Sequence, residues 1–141
     1  MEKGAQVKFG PIQRLLDQHL QSIADLPTLQ TENTKINPTN GVAWCRSTLI
    51  PSESLNVGLG PNGLIQQQGL FQIDLFYPKD YGIDASADMA DKVMAAFIRG
   101  TELIDSDGLV VQVINSWRST ATVSGTTRKV PVFVAWRCFV K

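Results

Sequence analysis

The stretch from Gly69 to Phe97, GLFQIDLFYPKDYGIDASADMADKVMAAF, changes its hydrophobic period halfway along. In its first half the apolar side chains fall at every second position, the spacing of one face of a β-strand: Phe71, Ile73, Leu75 and Tyr77. From Met89 onward they recur at helical spacing. The stretch therefore predicts a strand, a loop and a helix, and the loop carries no set of residues that would obviously perform chemistry.

Periodicity along the rest of the 141-residue chain completes the set of elements. A first helix begins near Pro11, carries an apolar stripe and ends at Pro27. Strands are predicted at 43–51, 54–60, 64–77, 109–117 and 130–141, with a turn at 61–63 and long polar connections at 28–42, which has room for a short strand, and at 118–129. This order predicts a single α+β domain over residues 1–141, with a largely antiparallel sheet, two main helices packed on one face and residues 1–10 as a flexible N-terminal arm.

The second helix and the last strand have well-defined buried faces. We expect Asp84 or Ser86 to cap the start of the helix and Gly100 to close it. The buried side of this helix comprises Met89, Val93 and Phe97. In the last strand Trp136 shares one face with the valines at 130, 132 and 134, so its side chain should be buried.

A second apolar face of the sheet is also predicted. The alternate strand positions, opposite the core, carry further large apolar residues: Leu70, Phe76, Phe133 and Phe139. Two helices cover one face of a sheet, so these residues are expected to meet another subunit. The alternative is that they are scattered exposed residues without function, which folded surfaces commonly carry.

Composition argues against several classes of protein. Thirteen basic residues balance thirteen acidic ones, so no net field favours a nucleic-acid backbone or an anionic membrane. The first ten residues lack the apolar run of a signal peptide, and no stretch approaches the roughly 20 apolar residues of a membrane span, which favours a cytosolic protein. Cys45 and Cys138 lack the paired spacing of a zinc site and are expected to be reduced and buried.

Candidate catalytic and cofactor motifs have simpler structural explanations. GLGPNG, residues 58–63, matches a dinucleotide-binding string, but a proline and a strand follow it where that motif needs a helix, so a hairpin turn is favoured. The one histidine, His19, lies at the border of the first helix's apolar stripe, and a structural role is favoured over that of a catalytic base. We expect no catalytic residue and no cofactor.

The acidic and aromatic clusters also have simpler structural explanations than a binding site. Three acidic residues at the start of the second helix suit the helix dipole: Asp84, Asp88 and Asp91. Asp105 and Asp107 resemble the opening of a calcium loop that lacks its closing glutamate, so a turn is favoured over a metal site. The pairs Trp117-Arg118 and Trp136-Arg137 could stack on nucleic-acid bases, but packing at strand ends is favoured.

Three segments nevertheless resemble a known family when they are taken in order. These are WCRSTLIP from Trp44, QGLFQIDLFYPKDYG from Gln68 and ADMADKVMAAFIRG ending at Gly100. The chain resembles the tail-terminator-like virion proteins of long-tailed bacteriophages and prophages, from about Pro11 to Gly100 and more loosely beyond. The matching positions are Trp44, Arg46, Gly69, Gln72, Ile73, Asp74, Pro78, Gly82, Ala90, Asp91, Phe97 and Gly100.

The resemblance implies a structural assembly protein. Its copies would close into a homo-oligomeric ring, a hexamer in the expected case, on the head-proximal end of the tail tube, stopping polymerisation and offering a surface to a neck or head-completion protein. The ring would be assembled in the host cytoplasm, and its lumen would let DNA pass without specific recognition. A dimer, another head–tail connector, a monomeric binding module and an enzyme remain open alternatives.

Subunit contacts are expected from the polar connections at 28–42 and 118–129, because both exceed the usual loop length. The second carries Arg118, Arg128 and Lys129. Complementary acidic residues, Asp105 and Asp107, are expected on the next subunit or on the tail tube.

Overall fold

The computed structural model describes residues 9–31, 41–58 and 65–140. Within these ranges the chain forms two α-helices, α1 (Phe9–Gln21) and α2 (Gly82–Ala96), with a 3-10 helix at Lys79–Tyr81. The strands are β1 (Thr28–Gln30), β2 (Trp44–Pro51), β3 (Leu55–Asn56), β4 (Ile65–Pro78), β5 (Glu102–Ile104), β6 (Val110–Arg118), β7 (Thr122–Ser124) and β8 (Thr127–Val140). The predicted α+β class is confirmed. The turn at 61–63, most of the arm at 1–10 and residues 32–40 of the first polar connection lie outside the described residues.

The strands form one mixed but mostly antiparallel sheet. Its order is β1-β2-β4-β8-β6-β5, with β3 added to β4 and β7 added to β8. Only the pairing of β1 with β2 is parallel in the described ranges. The central strands β4 and β8 pair along their whole length, from Ile65 opposite Val140 to Pro78 opposite Thr127. These two strands form the centre of the sheet.

The core lies between one sheet face and the two helices. Alternate residues of β4 and β8 point into it, and both helices contribute their apolar stripes. Its largest fully buried side chains are Ile12, Leu16, Leu20, Phe71, Ile73, Leu75, Val93, Phe97, Val111, Val130, Val132 and Trp136. The strand faces assigned from period-two alternation are therefore confirmed, including the burial of Trp136.

Gly69 makes room for the indole of Trp136. The two residues are directly opposite in the β4–β8 register. A Cβ added to Gly69 would lie 2.5 Å from the backbone oxygen of Ile50 and 2.9 Å from Cζ2 of Trp136. A glycine is required here by close approach, since real Cβ atoms do not occupy such distances.

Both ends of α2 differ from the prediction. The helix begins at Gly82, directly after the 3-10 helix, so Asp84 and Ser86 lie inside it and neither is its N-cap. Ser86 Oγ donates to the carbonyl of Ile83 at 3.0 Å. The helix ends at Ala96, while Gly100, with a φ of 89°, belongs to the turn that follows. The preceding 3-10 turn continues into the helix without a break, which is why side-chain capping signals placed the start too late.

The predicted polar loop at 118–129 is wrong. Thr122–Ser124 and Thr127–Val140 are the strands β7 and β8 of a hairpin, and a two-residue turn with Gly125 at a φ of 60° joins them. All three side chains of β7 are exposed, so this strand shows no apolar alternation. The prediction also missed β5, a three-residue strand that pairs with β6.

Candidate assembly surface

One face of the sheet has no helix against it in the part of the chain that the structure describes. Both helices contribute to the single core on the opposite face. We call the exposed side the uncovered face and define it by the alternate residues of four neighbouring strands. These are Trp44, Arg46, Thr48 and Ile50 of β2; Leu70, Gln72, Asp74 and Phe76 of β4; Lys129, Pro131, Phe133, Ala135, Arg137 and Phe139 of β8; and Gln112, Asn115 and Trp117 of β6. The predicted second-face residues Leu70, Phe76, Phe133 and Phe139 are thus confirmed in this position.

Two aromatic pairs span neighbouring strands of the uncovered face. Trp44 stacks on its register partner Phe76, with ring centroids 4.1 Å apart and planes 9° from parallel. Trp117 stacks on Phe133 with centroids 5.8 Å apart. Cross-strand aromatic pairs each stabilise a sheet by about 0.5–1.5 kcal/mol beyond the area they bury, and they fix the positions of the rings. The two stacked pairs therefore hold four aromatic side chains of the uncovered face in place.

A charged cluster lies between these aromatic pairs. The carboxylate of Asp74 is only 2% exposed although it points away from the core. It accepts hydrogen bonds from Arg46 Nη2 at 3.1 Å and from Gln72 Nε2 at 2.9 Å, and Lys129 Nζ lies 3.9 Å away. The guanidinium of Arg46 also lies 5.2 Å from the ring centre of Phe76. One buried negative charge thus holds side chains from three strands in place.

Replacing Asp74 with asparagine should lower the free energy of unfolding by about 1–2 kcal/mol. The change removes a charge that two cations face, but Arg46 and Lys129 are 41% and 36% exposed, so solvent screening keeps the loss below that of a fully buried pair. Urea unfolding followed by circular dichroism measures it. Asp88→Asn is the matched control on an exposed helix surface, and equal stabilities of the two variants would contradict the role given to Asp74.

The uncovered face also has exposed apolar members. Ile50, Trp117 and Phe139 are 39%, 40% and 41% exposed. A shallow recess of about 360 Å³ lies among Ile50, Leu70 and Ala135. Exposed apolar residues gathered on one surface are typical of protein–protein contact sites.

A family comparison places this fold among known proteins. The family described as "Phage tail terminator protein" matches residues 11–136. The chain belongs to the phage tail terminator proteins. The comparison with curated proteins finds no match.

Solved structures share the fold of this tail terminator. One chain superposes with a TM-score of 0.70 at 20% identity, over 94% of this chain and 96% of the other. A second belongs to the virion of a native gene transfer agent particle, with a TM-score of 0.59 at 18% identity, over 96% and 98% of the two chains.

Two of the three segments that carried the resemblance meet on the uncovered face, while the third lies mostly in α2 on the core side. Trp44 and Arg46 belong to the first segment, and Gln72 and Asp74 belong to the second, so that Arg46 and Asp74 are 28 residues apart in the chain. The β2–β4 register makes the two segments neighbours. Arg46 is directly opposite Asp74. The network of side chains around Asp74 is the feature that sequence reasoning missed, because only the register reveals which residues lie across from each other.

The charged residues predicted as a subunit or tube interface do not form one cluster within the chain. Arg118 ends β6, whereas Asp105 and Asp107 lie in the turn before the other end of that strand. Asp105 Oδ1 accepts from the backbone N–H groups of Asp107 at 2.9 Å and of Leu109 at 2.8 Å. Strand alternation places Lys129 on the uncovered face beside Asp74 and turns Arg128 to the other face.

The side chain of His19 is partly buried, those of the two cysteines are buried, and all three make structural contacts inside the chain. His19 Nε2 lies 2.7 Å from the carbonyl oxygen of Ala96, and its ring meets the edge of Phe97. Burial, with a smaller contribution from Asp17, raises the pKa of Cys45 to about 12, and burial also raises the pKa of Cys138. Both thiols are free and remain protonated near neutral pH, the inert form of a cysteine.

Other predicted motifs are separated by the fold. The indole of Trp136 is in the core while Arg137 lies on the uncovered face, so this pair cannot stack on a base together. Trp117 and Arg118 likewise point to opposite faces. In the described ranges no group of three or more His, Cys, Asp and Glu side chains could hold a metal ion. The helices described there are too short or too polar to cross a membrane.

Proposed function

We propose that this chain is a structural virion protein whose copies close into a ring, a hexamer in the simplest case, on the head-proximal end of the phage tail tube. The ring stops tube polymerisation and joins the tail to a neck or head-completion protein. The observation that carries the proposal is the uncovered face, a partly apolar sheet surface in a chain that matches the tail terminator family over residues 11–136.

The surface chemistry supports self-assembly. A ring forms when one patch of a subunit binds a different patch of the next copy and the rotation closes. The uncovered face supplies one such patch, with its apolar members already held by stacked aromatic pairs and by Asp74. Little side-chain ordering is then required on binding, which lowers the entropic cost of association.

The role requires no catalysis, cofactor or metal. Assembly takes place in the host cytoplasm, the finished ring belongs to the virion at the tail–neck junction, and its lumen passes DNA without reading its sequence. The predicted interface charges keep their place in the proposal: Arg118, Arg128, Lys129, Asp105 and Asp107. Lys129 acts there indirectly, by holding Asp74 on the uncovered face.

Replacing Phe139 with serine tests the uncovered face. Phe139 is 41% exposed, so its loss should change the free energy of unfolding by no more than about 1 kcal/mol, while ring formation on the tube weakens about tenfold or more. A phage lacking the gene is complemented with the variant, and tail length is measured by electron microscopy. Tails should become longer and more variable than with the wild-type protein.

Ile98→Ser is the matched control, since Ile98 is exposed away from the uncovered face. Native mass measurement of the wild-type protein, alone and with tube protein, gives the number of copies in the ring. If the variant gives tails of normal length that fail to join heads, the alternative role of another head–tail connector is favoured for this chain. If the chain stays monomeric in the presence of tube protein, the proposed ring is contradicted.

A further inference from the structure

A polar pocket lies where β6 ends and the β7–β8 hairpin begins. Its volume is about 420 Å³, and Arg118, Ser119, Thr120, Ala121 and Arg128 line it. Two arginines, a serine and a threonine therefore border one space, and no acidic residue is among the residues that line it. Like charges placed together without a counter-charge are unfavourable, and this arrangement favours an anion.

The side chain of Arg128, which lines this pocket, has an unmet hydrogen bond. Its Nε is inaccessible to solvent and has no acceptor among the described residues. Other arginines of the chain do have acceptors: Arg46 donates to Asp74, Arg99 to the carbonyl of Ile114 and Arg137 to Gln112. The carboxylate of Asp74 on the neighbouring strand β4 points to the opposite sheet face and is held by Arg46 and Lys129. Within the described residues Arg128 therefore has no counter-charge, and its guanidinium is available to an anion that enters the pocket.

A rigid acidic turn at the other end of β6 has the complementary chemistry. Asp107 is exposed and makes no ion pair in the described part of the chain, and Gly108 beside it has a φ of 85°. The hydrogen bonds that Asp105 Oδ1 accepts from the backbone N–H groups of Asp107 and Leu109 fix the turn. Asp107 is thus presented on a pre-ordered loop, whereas the carboxylate of Asp105 is already engaged.

We propose that the pocket of Arg118 and Arg128 binds the carboxylate of Asp107 from a second copy of this chain. The inference rests on the ring described above, and it assigns one subunit contact to each end of β6. Such a contact is heterologous, because the basic pocket and the acidic turn are different surfaces. A guanidinium offers two parallel N–H donors to a carboxylate, which gives the contact direction as well as charge. A nucleic-acid backbone fits less well, since it would need a row of cations and the chain has no net positive charge.

Charge reversal tests the pairing. Arg118→Glu and Asp107→Arg each replace an exposed side chain, so both variants should fold. Each alone should lower the apparent association constant of the ring about tenfold, and the two changes in one chain should bring it back to within about threefold of wild type. Native mass measurement with tube protein gives the ring population. Lys92→Glu on α2 controls for the change in net charge, since Lys92 pairs with the exposed Asp25 and borders neither the pocket nor the acidic turn. If Arg118→Glu does not lower the association constant, or if the double variant does not restore it, the assignment is overturned.

A second measurement examines the pocket without assembly. Acetate is added to the isolated protein at constant ionic strength while the Nε–H resonance of Arg128 is followed by NMR. A saturable shift that is weaker in the Arg118→Gln variant supports a carboxylate site in the pocket. If this shift is seen but no ring forms, the carboxylate site stands and only the proposed ring is contradicted. A shift no larger than that with chloride would overturn the site. A shift with a short oligonucleotide but not with acetate would replace the carboxylate with a nucleic-acid phosphate.

Discussion

Replacing Trp136 with alanine should lower the free energy of unfolding by about 3–5 kcal/mol, the largest loss expected from a single truncation in this chain. The indole is fully buried at the centre of the sheet, packed across Gly69. Its removal leaves a cavity bordered by the backbone of β2 and β4, which cannot collapse without breaking strand pairing. Urea unfolding followed by circular dichroism measures the loss.

Trp117→Ala is the matched control, because Trp117 is 40% exposed and should cost only about 1 kcal/mol. Trp136→Phe separates packing from hydrogen bonding. Trp136 Nε1 has no acceptor among the described residues, so phenylalanine should lose volume but no bond. Equal losses for the two alanine variants would show that Trp136 does not support the sheet as described.

Replacing Gly69 with alanine should destabilise the chain by about 1–3 kcal/mol or more, although it adds a single methyl group. The new Cβ would meet the backbone oxygen of Ile50 at 2.5 Å and the Cα of Pro51 at 3.0 Å. Backbone atoms cannot rotate away as a side chain would, so the β2–β4 pairing must shift. The midpoint of urea unfolding, compared with wild type, measures the effect.

Gly10→Ala in α1 is the control, since a Cβ there meets nothing within 4 Å. It should be neutral or stabilise slightly, because alanine favours helix by about 0.5–1 kcal/mol over glycine. Combining Gly69→Ala with Trp136→Phe should cost less than the sum of the single changes, as both act on one contact. Strict additivity of the two losses in unfolding free energy would indicate that the clash between the new Cβ and Trp136 is relieved without cost.

The strand faces could be predicted because a buried face fixes side-chain alternation. Phe71, Ile73 and Leu75 point to the core, as their spacing indicates, and so does Trp136 with the valines before it. The same alternation placed Phe76 and Phe133 on the opposite face. A one-residue slip would have moved every one of these side chains to the other side, so the pattern leaves little freedom.

Short and fully solvated elements could not be predicted. The strand β5 has three residues, which is too few for a period to be recognised. The hairpin of β7 extends β8 where all β7 side chains are exposed, so its polar residues were interpreted as a loop. Hydrophobic patterning reports burial, and it is silent where both faces of a strand are in water.

The candidate site depended on register, which a single sequence does not show. Arg128 and Lys129 are neighbours in the chain and were grouped as one basic patch. Their side chains point to opposite faces, so Lys129 pairs with Asp74 while Arg128 lines the pocket with Arg118. The cluster around Asp74 likewise needed the pairing of β2 with β4 and of β4 with β8.

The central pair of strands has a kinetic consequence. Between β4 and β8 the chain runs through α2, β5, β6 and β7, yet the two strands are paired at every position. A long loop must therefore close before the pairing contributes any stability, and sheets with such distant partners commonly fold in milliseconds to seconds. Until β8 docks on β4, neither the core nor the uncovered face is complete, because β8 supplies residues to both. An incompletely folded molecule therefore exposes the apolar side of β4, which favours non-specific association, and only the folded chain presents the complete face.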